Sequence, residues 1–469
     1  MKDFHFLIIG RGLQAILSIA SLRLITTYLD KSEIAKFYLI GSIIFFFSSV
    51  LLGGFSTYFN RNLLEDRARS HELFLKYMIQ AIMLGILSIG FNALFITLII
   101  GHINNVHLTI VAIFLHVTVS SILRNLLASV NIFQDVKFFV LFNSISLLLG
   151  ILIASLFIQH ISPRAAYWFL GISVGEVIIL PFVYLKFRKL CSQGDLITSS
   201  TNRPLLTKSL MSFVGPLMLV NLFVWFQMHA YRLLTQTEIT VETLSDLTVG
   251  LGVALAIFAV AESLVNQHFY PKYLRKIQSG NQKDRVIDWQ TFFNTILIVY
   301  VSVALFTIAC SKSLVVLLTD PKFHNIYLIT SLAALIELSR VVNNVFMWLH
   351  QSENNTKYTI LPYFISVLVL IFCLKLFEIK ITFYYIILAL LLSHFIVSIY
   401  FIVNLKILYR IKFSKMILEN VKYYICLVLT FCMIYLFSNL NDFISFHFIV
   451  VVIGLAAMVV IYYPLMRKK

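Results

Sequence analysis

Five arginines, Arg11, Arg23, Arg124, Arg232 and Arg340, lie inside stretches of this 469-residue chain that are otherwise apolar enough for a membrane interior. A charge near the middle of a bilayer helix costs about 2.5–3.5 kcal/mol on insertion scales. Residues that costly need a counter-ion, a water-filled cavity or an anionic ligand. A guanidinium presents a planar fork of N–H donors that matches phosphate and carboxylate oxygens. The chemistry these residues suggest is therefore recognition of an anion along a polar pathway, and the chain offers no constellation that calls for catalysis.

The neighbours of each arginine narrow its role. At about 3.6 residues per turn, Arg11, Gln14, Ser18 and Ser21 fall in one sector of the first apolar stretch, a face turned to water or to protein. Arg23 lies roughly a third of a turn away. Arg11 and Arg124 sit near the cytoplasmic ends of their stretches, where they either line the pathway or snorkel to the interface. Asn221, Trp225, Met228 and Arg232 share one face of the seventh stretch, with His229 beside it. Trp225 is placed either to stack on a sugar or simply to pack. Gly215-Pro216 permits a break or bend near the start of that stretch. Arg340 lies too deep to snorkel. Glu337, three residues earlier on the same face, makes an internal ion pair the plain reading, although such a pair can still line a cavity. Glu262 and Glu176 have no adjacent cation. Together with Glu337 they are candidates for coupling to protons or sodium, or for partnering an arginine of another span. His116 reads as a satisfied buried histidine. Cys191, Cys310, Cys373, Cys426 and Cys432 are scattered and odd in number, which favours packing over a disulfide framework or a metal centre. No cofactor is expected.

The elements that must position these residues are membrane helices. The chain is 60% hydrophobic and 12% charged, with a mean hydropathy of +0.91. Apolar runs recur from end to end, each long enough to cross a core of about 30 Å. Spans are expected at 6–28, 36–58, 77–100, 108–130, 138–159, 166–185, 211–234, 245–269, 291–314, 326–350, 358–376, 382–404, 422–438 and 443–465. They show no period-two alternation, so the fold class is an all-α polytopic bundle of about fourteen helices rather than a barrel. Lys2 and the apolar run after it have the look of a signal peptide, but Arg11 interrupts that run and further spans follow. The first helix is expected to be retained.

The formal net charge of +16 follows topology rather than nucleic-acid binding. With the N-terminus inside, 25 of the 37 Lys and Arg fall in cytoplasmic segments, 7 in outside loops and 5 within spans. This is the positive-inside pattern. It puts both termini in the cytoplasm.

The longest polar segment suggests four regions: a six-helix lobe over 1–190, a cytoplasmic linker over 191–210, a second six-helix lobe over 211–410, and two additional helices over 411–469. Arg23-Leu24-Ile25-Thr26 ends the first span and Arg232-Leu233-Leu234-Thr235 the seventh, as a parallel internal repeat would. A fainter echo links Arg124, Gln134 and Lys137 with Arg340, Gln351 and Lys357.

The two lobes, the arginines of spans one and seven, and the opening Gly10-Arg11-Gly12-Leu13-Gln14 through Arg23-Leu24-Ile25-Thr26-Thr27-Tyr28-Leu29 resemble the Wzx-type O-antigen flippases. These belong to the multidrug/oligosaccharidyl-lipid/polysaccharide (MOP) transporter superfamily. The resemblance covers nearly the whole chain in topology, while its sequence motifs are weak. It implies two lobes around a central cavity that spans one and seven help to line. It also implies alternating access that carries undecaprenyl-diphosphate-linked oligosaccharide from the cytoplasmic to the periplasmic leaflet of a bacterial inner membrane. Arg23, Arg232, Arg340, Arg11, Arg124, Asn221 and Gln14 would then be the substrate contacts. Partners would be the lipid-linked oligosaccharide, membrane lipids, a coupling proton or sodium ion, and a polysaccharide polymerase with its chain-length regulator. A multidrug exporter of the same superfamily is a competing reading, although it would favour acidic residues in its cavity. A membrane-embedded polymerase or glycosyltransferase is another, although every outside loop here is short.

Overall fold

The computed structural model describes residues 2–63, 70–95, 106–133, 135–192, 208–236, 238–270, 273, 282–353, 356–376, 382–438 and 444–467. These are almost entirely helical, and no strand occurs among the described residues. Each of the fourteen expected stretches falls on helix over its described residues, with 96–100 and 443 lying outside them. Among the described residues ten helical segments are long and apolar enough to cross a membrane, and Phe74–Ile89, Val421–Leu436 and Phe446–Ala457 are shorter apolar helices. The protein is a multi-pass helical membrane protein.

The chain divides into two compact units, Met1–Leu234 and Thr235–Lys469. The first contains α1 (Lys2–Tyr28), α2 (Lys31–Phe45), α3 (Gly53–Asn62), α4 (Ser70–Phe95), α5 (Val106–Ile132), α6 (Val136–His160), α7 (Ala165–Ser192) and α8 (Lys208–Trp225), with α9 (Tyr231–Thr235) closing it. Side-chain caps start two of these helices. Asp30 accepts from the Glu33 amide at 2.8 Å to begin α2, and Asp135 accepts from the Phe138 amide at 3.2 Å to begin α6. Asp135, in the short link before α6, also pairs with Lys186 at 2.5 Å. Partial burial opposes its ionisation. Lys186 and the Phe138 amide outweigh that and hold its carboxyl below the ordinary value. Glu33 accepts from the Ala165 amide at 2.9 Å, so α2 supplies a partner to an otherwise orphaned donor at the start of α7.

Helix α5 is the buried centre of this unit and packs against α4 and α7, while α6 packs against α7 and α1. Nearly every residue from Ala112 to Val130 is buried, and Arg124 is the exposed exception. Where α6 meets α7 the backbones touch. A Cβ on Gly171 would lie 2.3 Å from the Ala154 Cα, and one on Gly175 would lie 2.6 Å from the Gly150 nitrogen. In lipid, where apolar side chains gain little by leaving one solvent for another, such close approach is a main source of helix–helix attraction.

The unit boundary differs from the one drawn at the polar segment 191–210, most of which lies outside the described residues. Span seven, assigned by sequence to the second lobe, packs in the first unit. Its α8 lies on α3 and on a π turn, Phe46–Leu51, that continues α2. The reasons are specific: Asn221 donates to the Ser49 carbonyl, Trp225 donates to the Ser42 carbonyl, and Gly54 admits Val214 where a Cβ would come within 2.9 Å. Helix α8 also runs unbroken through Pro216, and its irregularity comes later, as a π turn over Phe226–Ala230.

The second unit contains α10 (Val241–Leu264), α11 (Gln282–Ala309), α12 (Ser311–Leu318), α13 (Tyr327–Ser352), α14 (Ile360–Leu376), α15 (Phe383–Tyr409), α16 (Phe413–Glu419), α17 (Val421–Ser438) and α18 (Ile444–Arg467). Helix α13 is central, packed by α10, α11 and α15. The last two spans are fixed to this unit: α17 lies on α11, and α18 lies on α12 and on α11, where Gly454 faces Phe306.

Gly171→Val should destabilise the protein by about 1–3 kcal/mol, because the clash is with backbone that cannot rotate away. The check is thermal unfolding of purified protein in detergent. An unchanged midpoint would show that the α6–α7 contact is not tight.

Candidate anion site

Arg232 and Arg340 meet opposite fates. Arg232 follows the π turn Phe226–Ala230 and is 7% exposed. Its Nη1 donates to Ser42 Oγ at 3.1 Å, and its Nε donates to Tyr231 Oη at 3.1 Å. Nη1 also lies 3.2 Å from His229 Nδ1. A guanidinium has no acceptor, so this contact requires Nδ1 without a proton. The Arg232 Cζ stands 5.2 Å from the Tyr38 ring centre and 5.3 Å from that of Tyr231, within cation–π range. All of these partners are neutral. Among the described residues no carboxylate lies within ion-pair distance of Arg232, and none of its hydrogen bonds uses Nη2.

Around Arg232 the scaffold is locally rigid. Trp225 Nε1 donates to the Ser42 carbonyl at 2.7 Å, and the indole packs with Phe46 and Phe226. Trp225 is buried, with its ring edge tied to backbone, which is a packing role and not a surface for a sugar. Asn221 Nδ2 donates at 3.0 Å to the Ser49 carbonyl, inside the π turn that continues α2. Ser42 thus receives both Trp225 and Arg232, and α2 and α8–α9 are held in one register by a single serine. Ser42, Tyr38 and Tyr231 are not marked out by charge in the sequence. Their visible signals are a Gly41-Ser42 pair inside an apolar run and a tyrosine one turn before it.

Arg340, in contrast, is fully engaged. Its Nη1 and Nη2 donate to both oxygens of Glu262 at 3.1 and 2.5 Å, and its Nε donates to Glu337 at 2.7 Å. Asn344 donates to Glu262 as well, at 3.2 Å. Glu262 sits on α10 and the others on α13, so the cluster ties two helices of the second unit. Two carboxylates on one cation leave that cluster with a formal charge of −1 when both are ionised.

The remaining candidates are dispersed. Gln14 donates to Ser144 Oγ at 3.3 Å, which turns it toward α6. Arg23 is half-buried near the end of α1, and its carbonyl accepts from Thr26 and Thr27. Arg124 is exposed on α5, within electrostatic reach of Glu176 and His116. The side chain of Arg11 lies outside the described residues. Glu176 is buried on α7 and accepts from Ser120 of α5. Among the described residues no group of three or more metal-ligating side chains comes together.

Comparison with known proteins adds the fold's identity. No protein-family model matches the chain, and no curated protein matches its sequence. Solved structures do. The chain superposes on a lipid II flippase, MurJ, in an inward closed conformation with a TM-score of 0.66, over 99% of both chains at 14% identity. An inward-facing multidrug-resistance MATE family transporter of the MOP superfamily gives 0.57 over 86% of this chain and 95% of that one, at 12% identity. A MOP superfamily transporter from Pyrococcus furiosus, described as having a binding pocket of reverse polarity, gives 0.54 over 86% and 94%, at 14% identity. The chain shares the fold of these solved flippases and transporters, and the Wzx-type subgroup is not singled out among them.

Within this fold the Arg340 cluster is expected to matter for folding. Arg340→Leu strands two buried carboxylates and should cost about 3–5 kcal/mol. Adding Glu262→Gln and Glu337→Gln should recover most of that loss. Detergent-solubilised yield and melting temperature of the single and triple variants test the pair. Equal damage in both would mean that the ion pairs are not the reason.

Proposed function

We propose that the protein is a flippase for a polyprenyl-diphosphate-linked oligosaccharide, and that Arg232 contacts the diphosphate. The observation that carries this reading is the uncompensated charge of Arg232. A buried guanidinium held by two hydroxyls, an imidazole and two aromatic rings is oriented but not neutralised. A phosphate oxygen would supply the missing negative charge, and the unused Nη2 would give it a charge-assisted hydrogen bond. Arg124, exposed on α5, is a second cation for the same headgroup. The polyprenyl tail can remain in lipid while only the polar head crosses, so the protein need accommodate only the charged and sugar portion. Alternating exposure of the site to the two sides accounts for transfer in this fold.

Two supports stand beside the charge. The fold is shared with a protein described as a lipid II flippase. The distribution of Lys and Arg favours an inner-membrane orientation with both termini in the cytoplasm.

The test is translocation of a fluorescent polyprenyl-diphosphate sugar by purified protein in liposomes. Arg232→Gln should lower the rate by about 10- to 100-fold, the loss of a charge-assisted contact worth about 1.5–3 kcal/mol. Arg232→Glu should abolish transfer while leaving folded protein in the membrane. Wild-type rates in Arg232→Glu would overturn the proposal. Transport of a cationic dye with no lipid transfer would replace it with the multidrug-exporter reading.

A further inference from the structure

One end of the α6–α7 pair carries a charge pattern that the anion site does not use, and the Lys and Arg distribution assigns that end to the cytoplasm. Lys186 is half-buried on α7. Its Nζ pairs with Asp135, which begins α6, and stands 5.3 Å from the Phe138 ring centre. Asp135 is itself committed, since it also accepts from the Phe138 amide. Lys137 on α6 and Lys189, one turn beyond Lys186 on α7, are both exposed. Three lysines thus meet one carboxylate, which leaves the corner a formal charge of +2. The other carboxylate on these two helices is Glu176, ten residues before Lys186 and about 15 Å along the axis. Lys76 and Arg285 differ in being compensated nearby, Lys76 by Glu72 and Arg285 by both oxygens of Glu353.

Apolar surface begins directly on the membrane side of these cations. Farther along the pair, α6 and α7 touch through Gly150, Ala154, Gly171 and Gly175. At the charged corner rings stand in their place: Phe138 and Phe142 stack with centres 4.1 Å apart, and Phe182 lies 6.3 Å from Phe142. Leu141 on α6, and Phe182 and Leu185 on α7, are each more than half exposed. Phe182, Leu185 and Lys189 recur at three- and four-residue spacing, so they share one face of α7, with Lys186 at its edge.

Such a surface reads two features of a ligand at once. Phosphate oxygens answer the lysines, and hydrocarbon answers the apolar side chains one turn deeper. A soluble anion meets only the first requirement, and an uncharged lipid only the second. Basic pockets between membrane helices on the cytoplasmic side suit phospholipid headgroups on these grounds. A polyprenyl diphosphate has the same two parts but a single tail. The apolar flanks here lie on both helices, which suits a lipid with more than one chain.

We infer that this corner of the first unit is a binding site for an anionic phospholipid, its phosphates held by Lys137 and Lys189 and its acyl chains laid along Leu141, Phe182 and Leu185. Asp135 and Lys186 brace the two helix ends that carry those lysines. The charge of +2 favours a headgroup with two phosphates over a headgroup with one. The site is independent of the flippase reading.

Native mass spectrometry of the full-length protein in detergent tests it, with titrations of diphosphatidylglycerol, phosphatidylglycerol and phosphatidylcholine. Diphosphatidylglycerol should be retained most strongly and phosphatidylcholine least. Lys137→Gln combined with Lys189→Gln should weaken diphosphatidylglycerol binding by about 10- to 30-fold. Arg188→Gln removes the same charge from the same turn of α7, on a face about 160° from Lys186. It should therefore leave binding within about twofold of the wild type. Asp135→Asn keeps a side chain able to cap α6 and releases Lys186 to the headgroup, so it should tighten binding. The inference fails if the three lipids are retained alike, or if Arg188→Gln costs as much as the double lysine variant. Weaker binding in a folded Asp135→Asn protein also overturns it. Two competitions exclude other sources of the same chemistry. Inorganic diphosphate competing at the phospholipid's own concentration would mark a soluble-anion site, and displacement by equimolar polyprenyl diphosphate would mark a cargo site. Either result overturns the phospholipid assignment.

Discussion

A polar side chain inside a membrane helix must find its partners within the protein, because hydrocarbon supplies none. That constraint organises both units. Arg340 meets it with two carboxylates, and the result is a closed cluster that ties α10 to α13. Arg232 meets it with hydroxyls, an imidazole and aromatic rings, which fix its direction while leaving its charge. Glu176 meets it with a serine and a histidine. These are three different solutions to one problem, and each leaves the protein with a different capacity. A neutralised arginine is a structural tie, an oriented but uncompensated arginine keeps its charge, and a buried carboxyl on a serine ties one helix to the next.

The helices were legible because nothing else accounts for apolar runs of that length, and each expected span falls on a helix. The depth of Arg340 was legible too, as was the Glu337–Arg340 pair, since both residues lie on one face of one helix. The partner of Glu262 was not, because Arg340 is 78 residues away and only tertiary packing brings them together. Ser42 and Tyr38 carry no charge and look like any residue of an apolar span, so the chief hydrogen-bonding partner of Arg232 stayed hidden. Gln14 illustrates the opposite error of emphasis. A polar stripe on α1 satisfies either water or protein, and one member of it turns out to bond Ser144.

The association of α8 with the first unit was also invisible to a reading based on polar segments. A long polar stretch marks where the chain leaves the membrane. It does not decide which helices share a core. That is settled by Asn221, Trp225 and Val214, which meet α2, its π turn and α3, and by the small size of Gly54. The same logic explains how a fold can persist at 12–14% identity with its solved neighbours. Span length and a few close contacts are enough to keep the architecture, while the functional chemistry is free to change at single positions.

The π turns carry a consequence for how such a protein tolerates insertions and deletions. A π turn is an α-helix with one residue too many. In α8 that surplus falls between Trp225 and Arg232, the two residues that share Ser42. Loss of any single residue from 226–230 would leave a perfectly good membrane helix of unchanged hydropathy. The wide turn would close into an ordinary α-turn, and Arg232 would keep its face toward Ser42. The same loss within the regular part of α8 would instead turn Arg232 by about 100°, so the stretch 226–230 is where this helix absorbs a change of one residue.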